Sequence, residues 1–283
     1  MYPPDANGDV NETYYFQVVN ITNAIYNKAD GSIAAGPSPL NSIFNPSLPG
    51  ANCNDGDPVV LWDEHAGRWL FAEFSVNCGG YYMLIAVSTS SDPTGTWYSW
   101  SFPMTGFPDY PKFGIWQDGY YMATNTPNGN DVDVFQRDAM ISGNPNPIMI
   151  GFDNPNRPST WDNFHCILPI DNDGQWAPPG TPEQFITVTD DGQGNPADQL
   201  WLYELHVDWS NPSNSTFALT QTLNVHPFSG YFNNNWSNIP QPGTSQKLDA
   251  SNPVPEFKRY TENCLQPHDC TLVRSSRNTM VRT

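Results

Sequence analysis

Basic residues are scarce in this chain. Lysine and arginine total 11 in 283 residues, against 29 aspartates and glutamates, for a net charge of −18 at pH 7. Such a surface repels phosphate backbones and anionic headgroups, which argues against nucleic acid and acidic membranes as partners. Long apolar runs are missing too. No stretch reaches the roughly 18 apolar residues that a membrane-spanning helix needs, so no membrane insertion is expected. Helical periodicity is almost absent. The best stretch, Arg137-Asp138-Ala139-Met140-Ile141, makes one turn at most. There is no Gly-x-Ser-x-Gly elbow, no glycine-rich phosphate loop and no Cys-x-x-Cys pair, and the histidines (His65, His165, His206, His226 and His268) are scattered. Serine hydrolases of that type, nucleotide binding and zinc sites are disfavoured accordingly.

The start, Met1-Tyr2-Pro3-Pro4-Asp5, lacks the basic and apolar regions of a secretion signal, as expected if a signal has been removed or the chain is a fragment. Five cysteines are present, and Cys53 and Cys78 flank one predicted hairpin. Their pairing is expected, would stabilise the fold by roughly 3 kcal/mol in the chain-entropy model, and fits a secreted, extracellular protein.

What the chain has in quantity is aromatics and turn formers: 10 Trp, 13 Tyr, 15 Phe, 21 Gly and 28 Pro. The pattern is strand, turn, strand. Tyr14 to Val19 and Ala24-Ile25-Tyr26 precede a turn at Lys28 to Gly31. Pro58 to Trp62 turns at Asp63 to Gly67 and returns as Arg68 to Phe74; Tyr81 to Val87 and Thr96 to Trp100 follow. The unit recurs as Lys112 to Trp116, Tyr120 to Thr124 and Asp131 to Phe135, and again as Phe185 to Thr189, Leu200 to Leu205 and Phe217 to Thr220. Repeated four-stranded antiparallel meanders predict an all-β chain and a β-propeller. A β-sandwich offers similar strands without the recurring unit. Residues 1–250 are assigned to the propeller, and 251–283 to an atypical tail. That tail holds five of the basic residues, Lys258, Arg259, Arg274, Arg277 and Arg282, and no Gly or Trp. It reads as linker, disorder or a truncated end, and the propeller as incomplete.

Several motifs resemble a family of large secreted bacterial proteins described mainly as propeller-like. They are Pro3-Pro4-Asp5-Ala6-Asn7-Gly8-Asp9-Val10, Asn54-Asp55-Gly56-Asp57-Pro58-Val59-Val60, Arg68-Trp69-Leu70, Ser91-Asp92-Pro93-Thr94-Gly95-Thr96-Trp97, Asp109-Tyr110-Pro111-Lys112-Phe113-Gly114 and Ile239 to Asp249. The resemblance implies the fold and, because members continue with further strands, an incomplete propeller. It implies little about chemistry. Ser90 to Trp97 also looks like the Asp-box turn of sialidases, with one residue inserted, and like a turn of arabinanase-type propellers; in both it is structural.

Three motifs precede strands predicted to line a central channel: Asp55/Asp57, Asp109/Tyr110/Lys112 and Gln246/Lys247/Asp249. Paired carboxylates are what glycosidases use as acid and base or nucleophile. Asp57, Asp109 and Glu73 are the catalytic candidates. Asp55, Tyr110, Lys112, Gln246, Lys247 and Asp249 are the binding candidates. The plainer reading has these carboxylates capping turns and pairing with Lys112 and Lys247. Asp5, Asn7 and Asp9 place oxygens at alternate positions, a candidate Ca²⁺ site without the spacing of an EF-hand; an Asx-turn is the rival reading. The preferred function is a secreted module that binds glycans or cell-surface polymers. A glycoside hydrolase or polysaccharide lyase using channel-mouth carboxylates is the alternative, and a structural or adhesive surface protein the second alternative. Asp57 and Asp109 carboxylates about 5–10 Å apart in an open pocket would favour an enzyme; carboxylates locked to Lys112 and Lys247 would favour binding or structure.

Overall fold

The computed structural model describes residues 5–126, 129–154, 156, 167–193, 195–228, 237–249 and 259–260. The rest of the tail expected over 251–283 lies outside the described residues.

The described chain is all-β. Helix is limited to α1 (Arg137–Ile141) and three short 3-10 turns. The first sheet is β1 (Ala6–Val10), β2 (Tyr14–Val19), β3 (Thr22–Asn27) and β4 (Ile33–Pro39). The second is β5 (Gly56–Asp63), β6 (Arg68–Ser75), β7 (Tyr82–Ser88) and β8 (Trp97–Pro103), and the third is β9 (Lys112–Ile115), β10 (Tyr120–Ala123), β11 (Val132–Phe135) and β12 (Met149–Phe152). Each of these sheets has its strands side by side in chain order, every pair antiparallel. In the fourth sheet β13 (Leu168–Pro169) pairs with β15 (Glu183–Thr189), which continues into β16 (Gln199–His206) and β17 (Thr216–Asn224). Between them β14 (Asp171–Asn172) pairs with β20 (Arg259–Tyr260), and β18 (Ser237–Ile239) forms a hairpin with β19 (Leu248–Asp249).

Period-two alternation explains how the sheets stack. In β6, Trp69 and Phe71 leave one face and Leu70, Ala72 and Phe74 the other, because successive side chains in a strand point to opposite sides. The first set packs with Phe16, Val18 and Ile25 of the first sheet. The second packs with Phe113, Ile115, Tyr120, Met122 and Phe135 of the third. On the far side of the third sheet, Tyr121, Val132 and Val134 meet Phe185, Trp201, Tyr203 and Leu205 of the fourth. The second and third sheets are thus covered on both faces, which is why their strands read as almost uninterrupted apolar runs.

The leading strands β1, β5, β9 and β13 are neighbours in that order. Side chains stitch them together. Asn7 Oδ1 accepts the Val60 N–H (2.9 Å) and Asp9 Oδ2 accepts the Trp62 N–H (2.7 Å), so β1 and β5 run in the same direction. Asp171 Oδ1 likewise accepts the Ile115 N–H at 2.9 Å. The same approach forbids a side chain at position 114, where a Cβ would stand 2.4 Å from the Ile170 carbonyl oxygen. Because the obstacle is backbone, we expect Gly114→Ala to destabilise by about 1–3 kcal/mol. Urea denaturation checks this, and an unchanged midpoint would show that the two strands part without cost.

Cys53 and Cys78 form a disulfide, with Cα atoms 6.0 Å apart. The Ser90 to Trp97 turn joins β7 to β8. Asp92 Oδ1 accepts from the Thr94 N–H and hydroxyl, and the Trp97 indole donates to the Pro93 carbonyl.

Candidate functional site

Alternating strand direction puts the starts of β1, β5 and β9 at one end, together with the β6–β7 and β8–β9 loops. Asp5 precedes β1, Asp57 sits at the start of β5, and Asp109 and Tyr110 precede β9. The four non-glycine residues with positive φ among the described residues are Asp5 (40°), Asn20 (52°), Asp57 (47°) and Tyr110 (55°). Asp and Asn tolerate that region through local side-chain bonds; Tyr110 has no such help, and its strain must be held by what surrounds it. Asp57-Pro58 and Tyr110-Pro111 occupy matching places in adjacent sheets, as does Asp5-Ala6, so one backbone kink recurs three times around the same point.

These kinks bring the carboxylates together. Burial, then the charges of Asp5 and Asp109, push the Asp57 carboxyl up to about 6, against the opposing pull of Lys112. Burial is also the largest cause of the rise at Asp109, to which Asp5 contributes. The Tyr110 backbone N–H faces both Asp57 and Asp109. Lys112 is not locked to either: its Nζ sits 3.8 Å above the centre of the Tyr110 ring. All five residues, Asp5 included, are half-buried.

The other candidates fall elsewhere. Asp55 is a clasp: Oδ2 accepts from the Val76 and Asn77 N–H groups at 2.7 and 3.0 Å, and Oδ1 from the Asn77 amide at 2.8 Å. Glu73 lies below the site with 0% exposure. Neither of its oxygens has a well-formed hydrogen bond, and the Gly56 N–H is the donor that leans toward it. Burial first, then the Asp55 charge, push its carboxyl up to about 9. Glu73, one of the three catalytic candidates, thus lies beneath the Gly56–Asp57 kink with no exposed surface, unlike the half-buried Asp57 and Asp109. Gln246 and Lys247 are exposed on the β18–β19 hairpin, and among the described residues nothing connects them with Asp57 or Asp109. Asp249 closes that hairpin by backbone pairing with Ser237.

Of the three residues expected as a candidate Ca²⁺ site, Asn7 and Asp9 lie on one face of β1 and Asp5 precedes it. Alternate residues of a strand stand about 6.5 Å apart. Asn7 Oδ1 and Asp9 Oδ2 accept from the second sheet, as described, Asp9 Oδ1 accepts the Val10 N–H at 2.7 Å, and Asp5 Oδ2 accepts from the Asn20 amide at 3.1 Å. Asp5 therefore joins the carboxylate cluster, a placement that sequence reasoning missed. It also missed Asn125, whose N–H donates to the Asp109 carbonyl at 2.8 Å and whose side-chain amide is buried with neither end bonded.

The opposite end is closed by polar packing. Asp63, at the end of β5, receives Arg137 in a two-pronged pair at 2.7 and 2.8 Å and the Tyr120 hydroxyl at 2.9 Å. Trp176 lies 5.2 Å from the Arg137 guanidinium and stacks on His65 at 3.5 Å.

No family model matches the chain and no curated protein matches it. Among solved structures it is similar to a "putative glycoside hydrolase" from Parabacteroides distasonis ATCC 8503, at 11% identity and a TM-score of 0.39, over 78% of this chain and 72% of that one.

Proposed function

We propose that the four sheets are blades of a β-propeller and that the end where the leading strands begin is a carbohydrate-processing site. Asp57 is its general acid and Asp109 the carboxylate working against it. The observation that carries this reading is the state of the two carboxylates. They are desolvated, adjacent and unclaimed by Lys112, which rests on Tyr110 instead. Two neighbouring desolvated carboxyls, both raised and Asp57 to about 6, suit acid–base cleavage of a glycosidic bond. Face-to-face stacking with the leading strands side by side supports the propeller. The disulfide supports an extracellular location, and no helix among the described residues is long and apolar enough to cross a membrane.

Asp57→Asn and Asp109→Asn should each lower release of reducing sugar from a polysaccharide panel by about 10²–10⁴-fold with the melting temperature unchanged or raised. Wild-type activity should decline above pH 6, as Asp57 loses its proton, and decline again in acid, where Asp109 gains one. Full activity in both variants would sink the assignment. The second reading is a site that holds polymer without cutting it, and exposed aromatics beside the mouth favour it. Binding with no product from any polymer would establish that reading.

A further inference from the structure

Of the large apolar side chains left exposed among the described residues, three are aromatic: Tyr81, Tyr98 and Phe107. Tyr98 lies on β8, where its ring packs against Trp100. Tyr81 and Phe107 are different. They sit on two loops at the site's end of the molecule, with ring centres 6.2 Å apart and planes 28° from parallel. They are 46% and 37% exposed, although aromatic rings of this size normally bury most of their area.

The pair is held rigidly. Phe74 meets Phe107 edge-on at 5.2 Å. The Met104 N–H donates to the Tyr81 carbonyl at 2.9 Å, tying one loop to the other. The Tyr81 loop is anchored again by the Cys53–Cys78 disulfide and by Asp55 through Val76 and Asn77. Phe107 is fixed to the acid cluster itself, because the Asp109 N–H donates to its carbonyl at 2.9 Å. A two-residue step therefore separates the ring from the Asp109 carboxylate. Holding exposed rings in one geometry lowers the ordering cost of a ligand that lies on them.

From this arrangement we infer that Tyr81 and Phe107 form a subsite that takes a neutral sugar ring of a polysaccharide, next to the residue handled by Asp57 and Asp109. The inference rests on the carbohydrate reading of that site and adds the class of sugar. Rings offer apolar faces to the C–H side of a pyranose or furanose. The charge nearby sets the rest: among the described residues, Asp5, Asp57 and Asp109 are opposed by Lys112. A uronate or sulfated sugar arriving there meets like charge, whereas a neutral one does not.

Affinity gel electrophoresis of the full chain tests this, with gels cast with mixed-linkage β-glucan, galactomannan, arabinan, arabinoxylan or polygalacturonate. The expected result is retardation in at least one neutral gel and none in polygalacturonate. Tyr81→Ala and Phe107→Ala should weaken it at least ten-fold, Tyr81→Phe should preserve it, and all variants should keep the wild-type melting temperature. Tyr98→Ala, which removes an exposed ring on β8 outside the site, should be retarded like wild type. Retardation by polygalacturonate, none in any neutral gel, or alanine variants that still bind would overturn the subsite. Failure of the hydrolytic reading looks different: retardation persists and depends on both rings, but no reducing sugar appears.

Discussion

Arg137→Leu should lower the unfolding free energy by about 3–5 kcal/mol, because it strands a buried carboxylate. Asp63 is 1% exposed and Arg137 6%. The guanidinium supplies two of the hydrogen bonds that Asp63 accepts; the Tyr120 hydroxyl and the Ala66 N–H supply the others. Without Arg137 the charge remains, with Tyr120 and one amide to carry it. The pair joins the end of β5 to α1, so the loss falls on the junction between the second and third sheets. Trp176 would also lose the cation over its ring. The double variant Asp63→Leu with Arg137→Leu should recover much of the loss, since removing both charges lifts the desolvation penalty. Chemical denaturation of the two proteins measures this. A single variant as stable as wild type would show that water reaches Asp63.

Glu73→Gln should stabilise the protein at neutral pH, and more so as pH rises. The folded-state carboxyl is held at about 9 against an ordinary 4.5. A raised folded value means that the group's contribution is full below the unfolded value and is lost as pH climbs toward the folded one. Between pH 5 and 8 the wild type therefore loses up to about 1.4 kcal/mol per pH unit from this residue. Glutamine carries no proton to lose. Asp57 and Asp133, pushed up to about 6 and about 7 largely by burial, titrate in the same range. The difference between variant and wild type at each pH is what isolates Glu73. Urea curves at pH 5, 6, 7 and 8 should diverge steadily; parallel curves would mean that water or a rearranged loop solvates the carboxyl.

The strands most legible in the sequence were those buried on both faces, such as Arg68 to Phe74, where aromatic and branched residues leave few alternatives. β1 was not read as a strand because Ala6-Asn7-Gly8-Asp9 has little preference for extended structure, and the alternate oxygens of Asp5, Asn7 and Asp9 drew a metal reading instead. Its polar side chains exist to cap the amides of β5, a tertiary use that no local pattern announces. β4, with Gly36, Pro37 and Pro39, escaped notice for a related reason: an edge strand tolerates prolines that a central strand does not. In the site, Asp57 and Asp109 stood out because each lies just before a strand. Asp5 holds the equivalent place but was grouped with Asn7 and Asp9 by spacing alone. Glu73 was conspicuous as an acid within an apolar run, yet only the fold shows how deep it lies. Asn125 is unusual through the partners it lacks, which sequence does not record.

Building the first three sheets from consecutive strands has a consequence for the order of assembly. Hairpins between successive strands close short loops, so each of these sheets can form as soon as its own residues leave the ribosome. Covering it takes longer. Phe16, Val18 and Ile25 have no lid until Trp69 and Phe71 have been made, and the second sheet then waits in turn for Phe113 to Phe135. A growing chain thus always carries one newly formed, uncovered aromatic face at its leading edge, and a pause in synthesis leaves that face open to the wrong partner. The junctions cemented by Asn7, Asp9 and the Asp63–Arg137 pair are where each waiting period ends.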